Sequence, residues 1–381
     1  MAAKRTSRNR PIDVLRALAI MLVLGRHMDP CPPEVNLYLN TFTEFWYRIG
    51  GIGVDLFFVL SGFLVSSLLF RESLTHSRIS ITRFLIRRGL KIYPSFYVFI
   101  LFTILYRKFQ LEYPIYLNSL LGELLFLQNY IGNLWGYTWT LAVEEHFYLF
   151  LVLLLYWFNR RDVKYQHRTP FVELPQVAIA IFIGCLLLRL ITSFFVEGAA
   201  DSNSYILLFP THLRIDSVMF GVLLAWAWHF KSAWLKKKVL SKRWLLAISG
   251  VLFVLLPFWL NLDRSMAILT VGLSSFYLGF GLLMLGTIKW KLKESMFLKI
   301  VTTIGYCSYS IYLWHGPVHW WLLPALDKFV SPAFLSNWYL YFFSYFLGSI
   351  AVGYLLTKAI EQPVLLMRNK FFPSRTRALK F

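Results

Sequence analysis

Charge is scarce in this chain of 381 residues: Asp, Glu, Lys and Arg together make 15% of it, and 19 acidic residues face 39 basic ones. With 57% hydrophobic and 18% aromatic residues, a soluble chain of this balance would aggregate, so a water-soluble fold is excluded and the bilayer is its solvent. Cysteine is scarcer still. Cys31, Cys185 and Cys307 stand far apart and two lie in apolar segments, which gives neither a disulfide framework nor a CxxC metal site. No internal repeat is detectable, and loops are short. The formal charge of +20 comes from basic residues set in short blocks between apolar segments, not interleaved with stacking aromatics on a polar domain. Nucleic acid is therefore no expected partner.

What is present is a series of apolar runs. Residues 177–188, continuing past Arg189 to 196, and 339–356 approach or exceed the ~18 residues that cross a hydrocarbon core. Lys4, Arg5, Arg8 and Arg10 before an apolar run resemble a secretory signal, but Arg16 and His27 interrupt the run and no small-residue cleavage site follows. The segment reads as an uncleaved first span.

Lys and Arg beside a span stay on the cytoplasmic side. The first span (about 11–29) therefore runs outward, the second (about 52–70) returns to Arg71, Arg78, Arg83, Arg87, Arg88 and Lys91, and the third (about 90–106) runs out again. A span at about 141–158 ends inside, at Arg160, Arg161 and Lys164, so parity leaves no room for a full crossing between them. Residues 115–127, apolar but short, are expected to be re-entrant or peripheral. Spans at about 175–196, 210–229, 244–260, 266–287, 300–323 and 338–359 then alternate, with the lysine-rich blocks inside and Glu197 and Asp201 outside. The expectation is an all-α integral membrane protein of the inner (plasma) membrane: one domain, 1–381, of about ten transmembrane helices plus one re-entrant or peripheral helix, with both termini cytoplasmic and no appended soluble domain.

Ionisable residues inside spans are costly and mark pathways or reaction sites. Arg16 and His27 are eleven residues apart, three turns plus about 20°, which sets them on one helix face roughly 16 Å apart. Counting ~1.5 Å per residue, His27, Asp55, Glu144, Glu145, Arg214, Asp216 and His315 all fall in the outer half of the bilayer, which predicts one shared site. Arg16 lies deeper. It reads either as the partner of Asp13 one turn away or as a cation lining a passage from the cytoplasm, and His27 alone also fits a side chain snorkelling at a helix end. Ser61-Gly62 fits close helix packing; Ser61 as a nucleophile is the weaker reading, since no base is evident at its depth. His146 reads as an interfacial histidine. His27, His146 and His315 lack metal-ligand spacing, so no metal is expected.

In this order the motifs resemble the acyltransferase 3 family of integral-membrane acyltransferases. The resemblance covers nearly the whole chain. It is carried by Arg16 with His27, by Gly53 to Phe63 with Asp55 and Ser61, and by Arg87-Arg88-Gly89-Leu90-Lys91-Ile92-Tyr93-Pro94. It continues through the segment from Trp139 to Tyr148, Arg214-Ile215-Asp216, the segment from Ser308 to His315, and Ile360-Glu361-Gln362-Pro363. Lys91 stands where the family usually has arginine, which keeps the charge but loses the planar fork. Thr140 replaces the usual serine and His146 the usual glutamine.

The resemblance implies transfer of an acyl group, acetyl by default, from a cytoplasmic acyl coenzyme A to a hydroxyl presented from the outer side by a carbohydrate or similar acceptor. The donor is a substrate, and no permanently bound cofactor is expected. His27 would act as general base, Glu144 would orient it or the acceptor, and Arg16 would line the route. Arg87, Arg88 and Lys91 would hold the donor's phosphates. Asp55, Ser61, Glu145, Arg214, Asp216 and His315 would face the substrates, His315 or Arg214 as oxyanion donors. Some members carry a fused extracytoplasmic hydrolase domain; none is expected here after the last span. The alternative is a proton-coupled transporter, since intramembrane His, Glu and Asp also build relays; against it, no paired inverted repeats are seen.

Overall fold

The computed structural model describes residues 9–111, 113–165, 170–196, 204–260, 266–330 and 335–376, and among these every element is a helix. Arg10–Arg26 (α1) and Leu37–Gly50 (α2) lead into Gly53–His76 (α3) and Ile81–Tyr106 (α4). After the short Leu117–Leu124 (α5) come Trp139–Tyr165 (α6), Leu174–Phe194 (α7), the single turn Ser204–Leu207 (α8) and Ile215–Phe230 (α9). Ser232–Trp234 (α10) precedes Arg243–Trp259 (α11), Val271–Thr287 (α12) and Met296–Pro317 (α13); Leu323–Val330 (α14), Trp338–Leu356 (α15) and Gln362–Phe371 (α16) complete the order. Lys4, Arg5, Arg8, Glu197 and Asp201, used above to orient the chain, lie outside the described residues, as do the side chains of Lys164, Lys236 and Lys238.

Each segment read as a span is occupied by one helix, namely α1, α3, α4, α6, α7, α9, α11, α12, α13 and α15. Among the described residues, six stretches are long and apolar enough to cross a membrane: Gly53–His76, Ile81–Leu111, Gly136–Asp162, Leu174–Phe194, Leu240–Trp259 and Trp338–Phe371. The chain is thus an all-α membrane protein. Neither α1 nor α13 meets that measure: α1 has 17 residues and carries Arg10, Asp13, Arg16 and Arg26, and hydroxyl side chains dilute α13. Lipid contact is what demands apolarity, and both helices are packed within the bundle: α1 buries Ile12, Leu15, Ala19, Ile20 and Val23, and α13 is buried from Ser310 to Pro317. Burial separates interior from peripheral helices in the same way. The most apolar window of α3 is 72% buried and that of α7 only 17%, so α3 is central and α7 faces lipid.

Without a hydrophobic drive between helices in lipid, close backbone approach at small residues holds them together. Gly62 of α3 lies against the Val218 carbonyl of α9, and Gly221 of α9 against the Val59 carbonyl of α3. The close-packing reading of Ser61-Gly62 is therefore correct for Gly62.

Contacts at the helix ends alternate as parity requires. At one end Arg10 pairs with Glu294 before α13, the guanidinium groups of Arg83 and Arg87 at the start of α4 donate to the Pro373 and Phe372 carbonyls, and Arg375 lies 3.4 Å from Glu72 near the end of α3. At the other end the Asp29 N–H donates to the Tyr341 hydroxyl at 2.8 Å, and the Trp338 indole donates to the Asp29 carbonyl at 3.1 Å.

Three segments add to or depart from the sequence expectation. The loop expected after the first span holds α2, whose Trp46 packs over Gly25 and donates its indole N–H to the Met21 carbonyl at 3.2 Å. Helix α4 begins at Ile81, so the basic block through Lys91 lies on a helix and not in a loop. Residues 115–127 contain only α5, whose eight residues span about 12 Å and cannot cross a bilayer.

Candidate active site

The middle of the bundle encloses a chamber of about 110 Å³ lined by Arg16 of α1, Ser61 of α3, Arg88 and Lys91 of α4, Glu144 of α6 and Ser308 of α13, among others. Arg88 and Lys91 share a helix face because they are three residues apart on α4. Glu144 organises the polar wall: Oε1 accepts the Ser61 hydroxyl at 2.7 Å, and Oε2 accepts the Tyr148 hydroxyl at 2.7 Å and Arg88 Nη2 at 3.2 Å. The Arg88 guanidinium carbon sits 3.9 Å from the Tyr148 ring centroid, and the Tyr148 hydroxyl also lies 2.9 Å from Ser61 Oγ. Ser61 therefore does have a carboxylate at its depth. Sequence reasoning misses it by placing Glu144 in the opening turn of a span near the membrane surface, whereas α6 enters deeper and brings Glu144 level with the third turn of α3. Across the chamber, Arg16 Nε and Nη2 both donate to Ser308 Oγ, at 3.2 and 3.0 Å.

A second chamber, of about 460 Å³, lies toward the opposite end from the basic one, and His27 lines it. His27 is the C-cap of α1, and its Nδ1 lies 2.9 Å from the Val23 carbonyl. A carbonyl only accepts, so Nδ1 holds the hydrogen and Nε2 of the neutral ring presents a lone pair. His315 repeats the arrangement with the Tyr312 carbonyl at 2.7 Å; its Nε2 is buried without a hydrogen-bond partner, and the two imidazole centroids are 4.8 Å apart. A neutral His315 in this tautomer offers an acceptor. In this tautomer Nε2 accepts, whereas the oxyanion-donor role expected for His315 needs the charged ring.

The wall of this chamber is set by a residue that the sequence motifs do not include. Glu123 of α5 is fully buried, and its Oε1 accepts the Leu134 and Trp135 N–H groups at 3.0 and 3.3 Å and the Thr138 hydroxyl at 2.8 Å. These bonds fold the segment 125–138 across the chamber and seat Trp135 and Tyr137 beside His27. Burial pushes the Glu123 carboxyl up from its ordinary 4.5 to about 7.

A third chamber, of about 230 Å³, opens at the basic end and is lined by Arg83, Arg87, Arg88, Lys91, Arg368 and Arg375, with Glu72 as the one carboxylate. It shares Leu64, Val65, Arg88 and Lys91 with the middle chamber, which in turn shares Val54 and Tyr312 with the His27 chamber. Three cavities thus stand in series. Arg16 and His27, expected on one helix face with Arg16 deeper, line successive chambers of this series.

The sequence profile described as an acyltransferase domain matches residues 9–358, which takes in every one of these side chains except those of the last helix and the segment after it. The chain belongs to the acyltransferase 3 family. It is 30% identical over 346 residues to the peptidoglycan O-acetyltransferase OatA of Listeria monocytogenes serovar 1/2a, covering 83% of this chain and 50% of that protein. With the O-acetyltransferase OatA of Staphylococcus aureus it shares 25% identity over 339 residues, covering 81% and 50%. The chain spans about half the length of the curated relatives it matches. No solved structure matches it.

Several family-motif residues lie away from the chambers. Arg214 Nη2 binds Asp55 at 2.7 Å, with the Ser217 hydroxyl also on Asp55 at 3.1 Å, and Arg189 Nη1 binds Asp216 at 2.8 Å. Both pairs are fully buried, and none of these residues lines any of the three chambers. Asp55, Arg214 and Asp216, expected to face the substrates, are each paired here with an opposite charge, as a buried charge requires. Glu145, also expected at a substrate, instead accepts the Tyr93 hydroxyl at 3.0 Å. His146 faces Thr211, 2.8 Å from its hydroxyl. In the closing motif Glu361 accepts the Ser310 and Thr357 hydroxyls, fastening α15 to α13. Arg189 is visible in the sequence as the charge interrupting an apolar run, and Tyr148 and Ser308 lie at the ends of motif segments; Arg368 belongs to no motif.

Proposed function

We propose that this chain transfers an acyl group, acetyl by default, from a cytoplasmic acyl coenzyme A to a hydroxyl of a glycan on the outer side. The observation that supports it is the series of three chambers, each sharing lining residues with the next, from a cationic mouth to an imidazole whose Nδ1 is held by a backbone carbonyl. A thioester on a long pantetheine arm suits such a corridor. Its phosphates would rest among Arg83, Arg87, Lys91 and Arg368, while Arg16 and the Ser61–Glu144 wall border the arm. Arg88 is held by Glu144 and Tyr148, so its part is to fix the wall and not to grip phosphate freely.

At the far end the acceptor hydroxyl attacks the thioester carbonyl as His27 Nε2 takes its proton. The new C–O bond forms, the C–S bond breaks, and the imidazolium returns the proton to the departing thiolate. The Val23 carbonyl keeps Nδ1 protonated and fixes the tautomer throughout. That the acceptor is a cell-wall glycan is supported by the peptidoglycan O-acetyltransferase name of the Listeria relative.

The experiment is acyl transfer from radiolabelled acetyl coenzyme A to glycan fragments by purified protein in lipid nanodiscs. His27→Ala should lose about 10²-fold or more in rate while donor binding is kept. Transfer unaffected by that substitution would reject the mechanism, and glycan or proton flux without transfer would favour the transporter.

A further inference from the structure

The outer chamber is walled by aromatic rings that pack on one another, Trp320 included, which meets Trp135 at 5.9 Å and His319 at 4.8 Å between centroids. Trp135 donates its indole N–H to Thr103 Oγ1 at 2.9 Å, Tyr137 donates to the Leu313 carbonyl at 2.8 Å, and Trp139 stacks on Phe209 at 5.1 Å and 10°. Each is at least nine-tenths buried. Trp320 differs: it lines the same chamber yet is 44% exposed. Its position comes from a local irregularity. The helix α13 ends at Pro317 and continues as a wide π-turn, Val318–Leu322, which inserts an extra residue per turn and turns the indole toward the chamber. There its centroid lies 6.2 Å from that of His27 at an interplanar angle of 84°, with Tyr137 nearly parallel behind it at 6.5 Å and 20°.

A partly exposed indole beside a general base, in a chamber lined mostly by apolar and aromatic groups with Arg26 at its wall, asks for a ligand that is apolar on one face and hydroxylated at its rim. A pyranose ring has that shape. Its axial C–H bonds carry partial positive charge and meet the negative face of the π-system, while its hydroxyls project sideways toward acceptors such as His27 Nε2. An acyclic polyol offers the hydroxyls without the face. We infer that Trp320 is the stacking platform of the acceptor subsite and selects a pyranose ring over an acyclic alcohol; this rests on the reading of His27 as the base of glycan acylation.

Binding separates the two. The full chain in nanodiscs is titrated calorimetrically with the β-1,4-linked tetramer of N-acetylglucosamine and, as control, with sorbitol. The tetramer should bind wild type, Trp320→Ala about tenfold more weakly, and Trp320→Phe within about threefold of wild type. Sorbitol should show no dependence on residue 320. In turnover, Trp320→Ala should raise KM for the tetramer and leave kcat and the KM for acetyl coenzyme A within about twofold, as expected for lost uniform binding. Equal tetramer affinity in wild type and Trp320→Ala, equal losses for tetramer and sorbitol, or no tetramer binding to wild type would overturn the subsite. Full transfer activity in His27→Ala would instead overturn the mechanism, with the binding result standing by itself.

Discussion

At the scale of the residue, the sequence distinguishes poorly between a charge that reacts and a charge that braces. Arg16, His27 and Glu144 border the chambers, whereas Asp55, Arg214 and Asp216, equally polar and similarly placed along their spans, are locked in buried pairs with each other and with Arg189. The distinction has a measurable consequence. Arg214→Leu leaves Asp55 buried and unpaired and should destabilise the protein by about 3–5 kcal/mol, whereas the double variant Asp55→Leu, Arg214→Leu should recover most of that loss, read as thermal unfolding in detergent. The double variant should also keep acyl transfer. A double variant that is stable yet inactive would restore the pair to the substrate site. At the basic mouth, Arg87→Ala should raise the KM for acetyl coenzyme A several-fold and flatten its salt dependence, since a cation facing phosphate is screened by ions.

Among the elements, hydropathy finds the helices that touch lipid and undervalues those that do not. Its strongest signal falls on α7, which is peripheral, while α1 and α13, which hold His27 and His315, are weak because they are wrapped by other helices. The short segments are harder still to read. That α5 does not cross the bilayer is legible only through parity of the basic loops, and its function as an anchor for residues 125–138 depends on Glu123 meeting three donors that are 11 to 15 residues away. With its carboxyl held near pH 7, Glu123 binds its proton more tightly in the folded protein than in the unfolded chain. The stabilisation from the protonated form is full below about 4.5 and is lost as pH rises through about 7. Amide exchange across 125–138, corrected for intrinsic rates, should therefore accelerate between about pH 5 and pH 8, and Glu123→Gln should abolish the excess. The α3–α9 seam makes a separate prediction. Gly62→Val drives side-chain atoms into the Val218 carbonyl and should lower the unfolding temperature markedly, with Gly62→Ala intermediate.

For the whole molecule, the corridor is the property on which the proposed activity turns, and its neck is where it can be closed. Val54 and Tyr312 border both the middle and the His27 chambers, so Val54→Trp should stop acyl transfer while donor binding at the basic mouth, measured with a fluorescent coenzyme A analogue, stays within about twofold. Retained transfer would show that substrates meet by another path. The sequence alone determined the class of the molecule, the place of ten helices and the parity that keeps 115–127 from crossing, because apolar length and the sidedness of Lys and Arg act locally and add up along the chain. It also determined which few ionisable residues were available. What it left open was their partnership, including the Ser61–Glu144 contact, the wide turn that exposes Trp320, and the sorting of Arg16 and His27 into successive chambers. Those depend on which helices lie side by side and at what depth each enters, and in lipid that is decided by close packing and by the pairing of buried charges across the bundle, neither of which is written in any one segment.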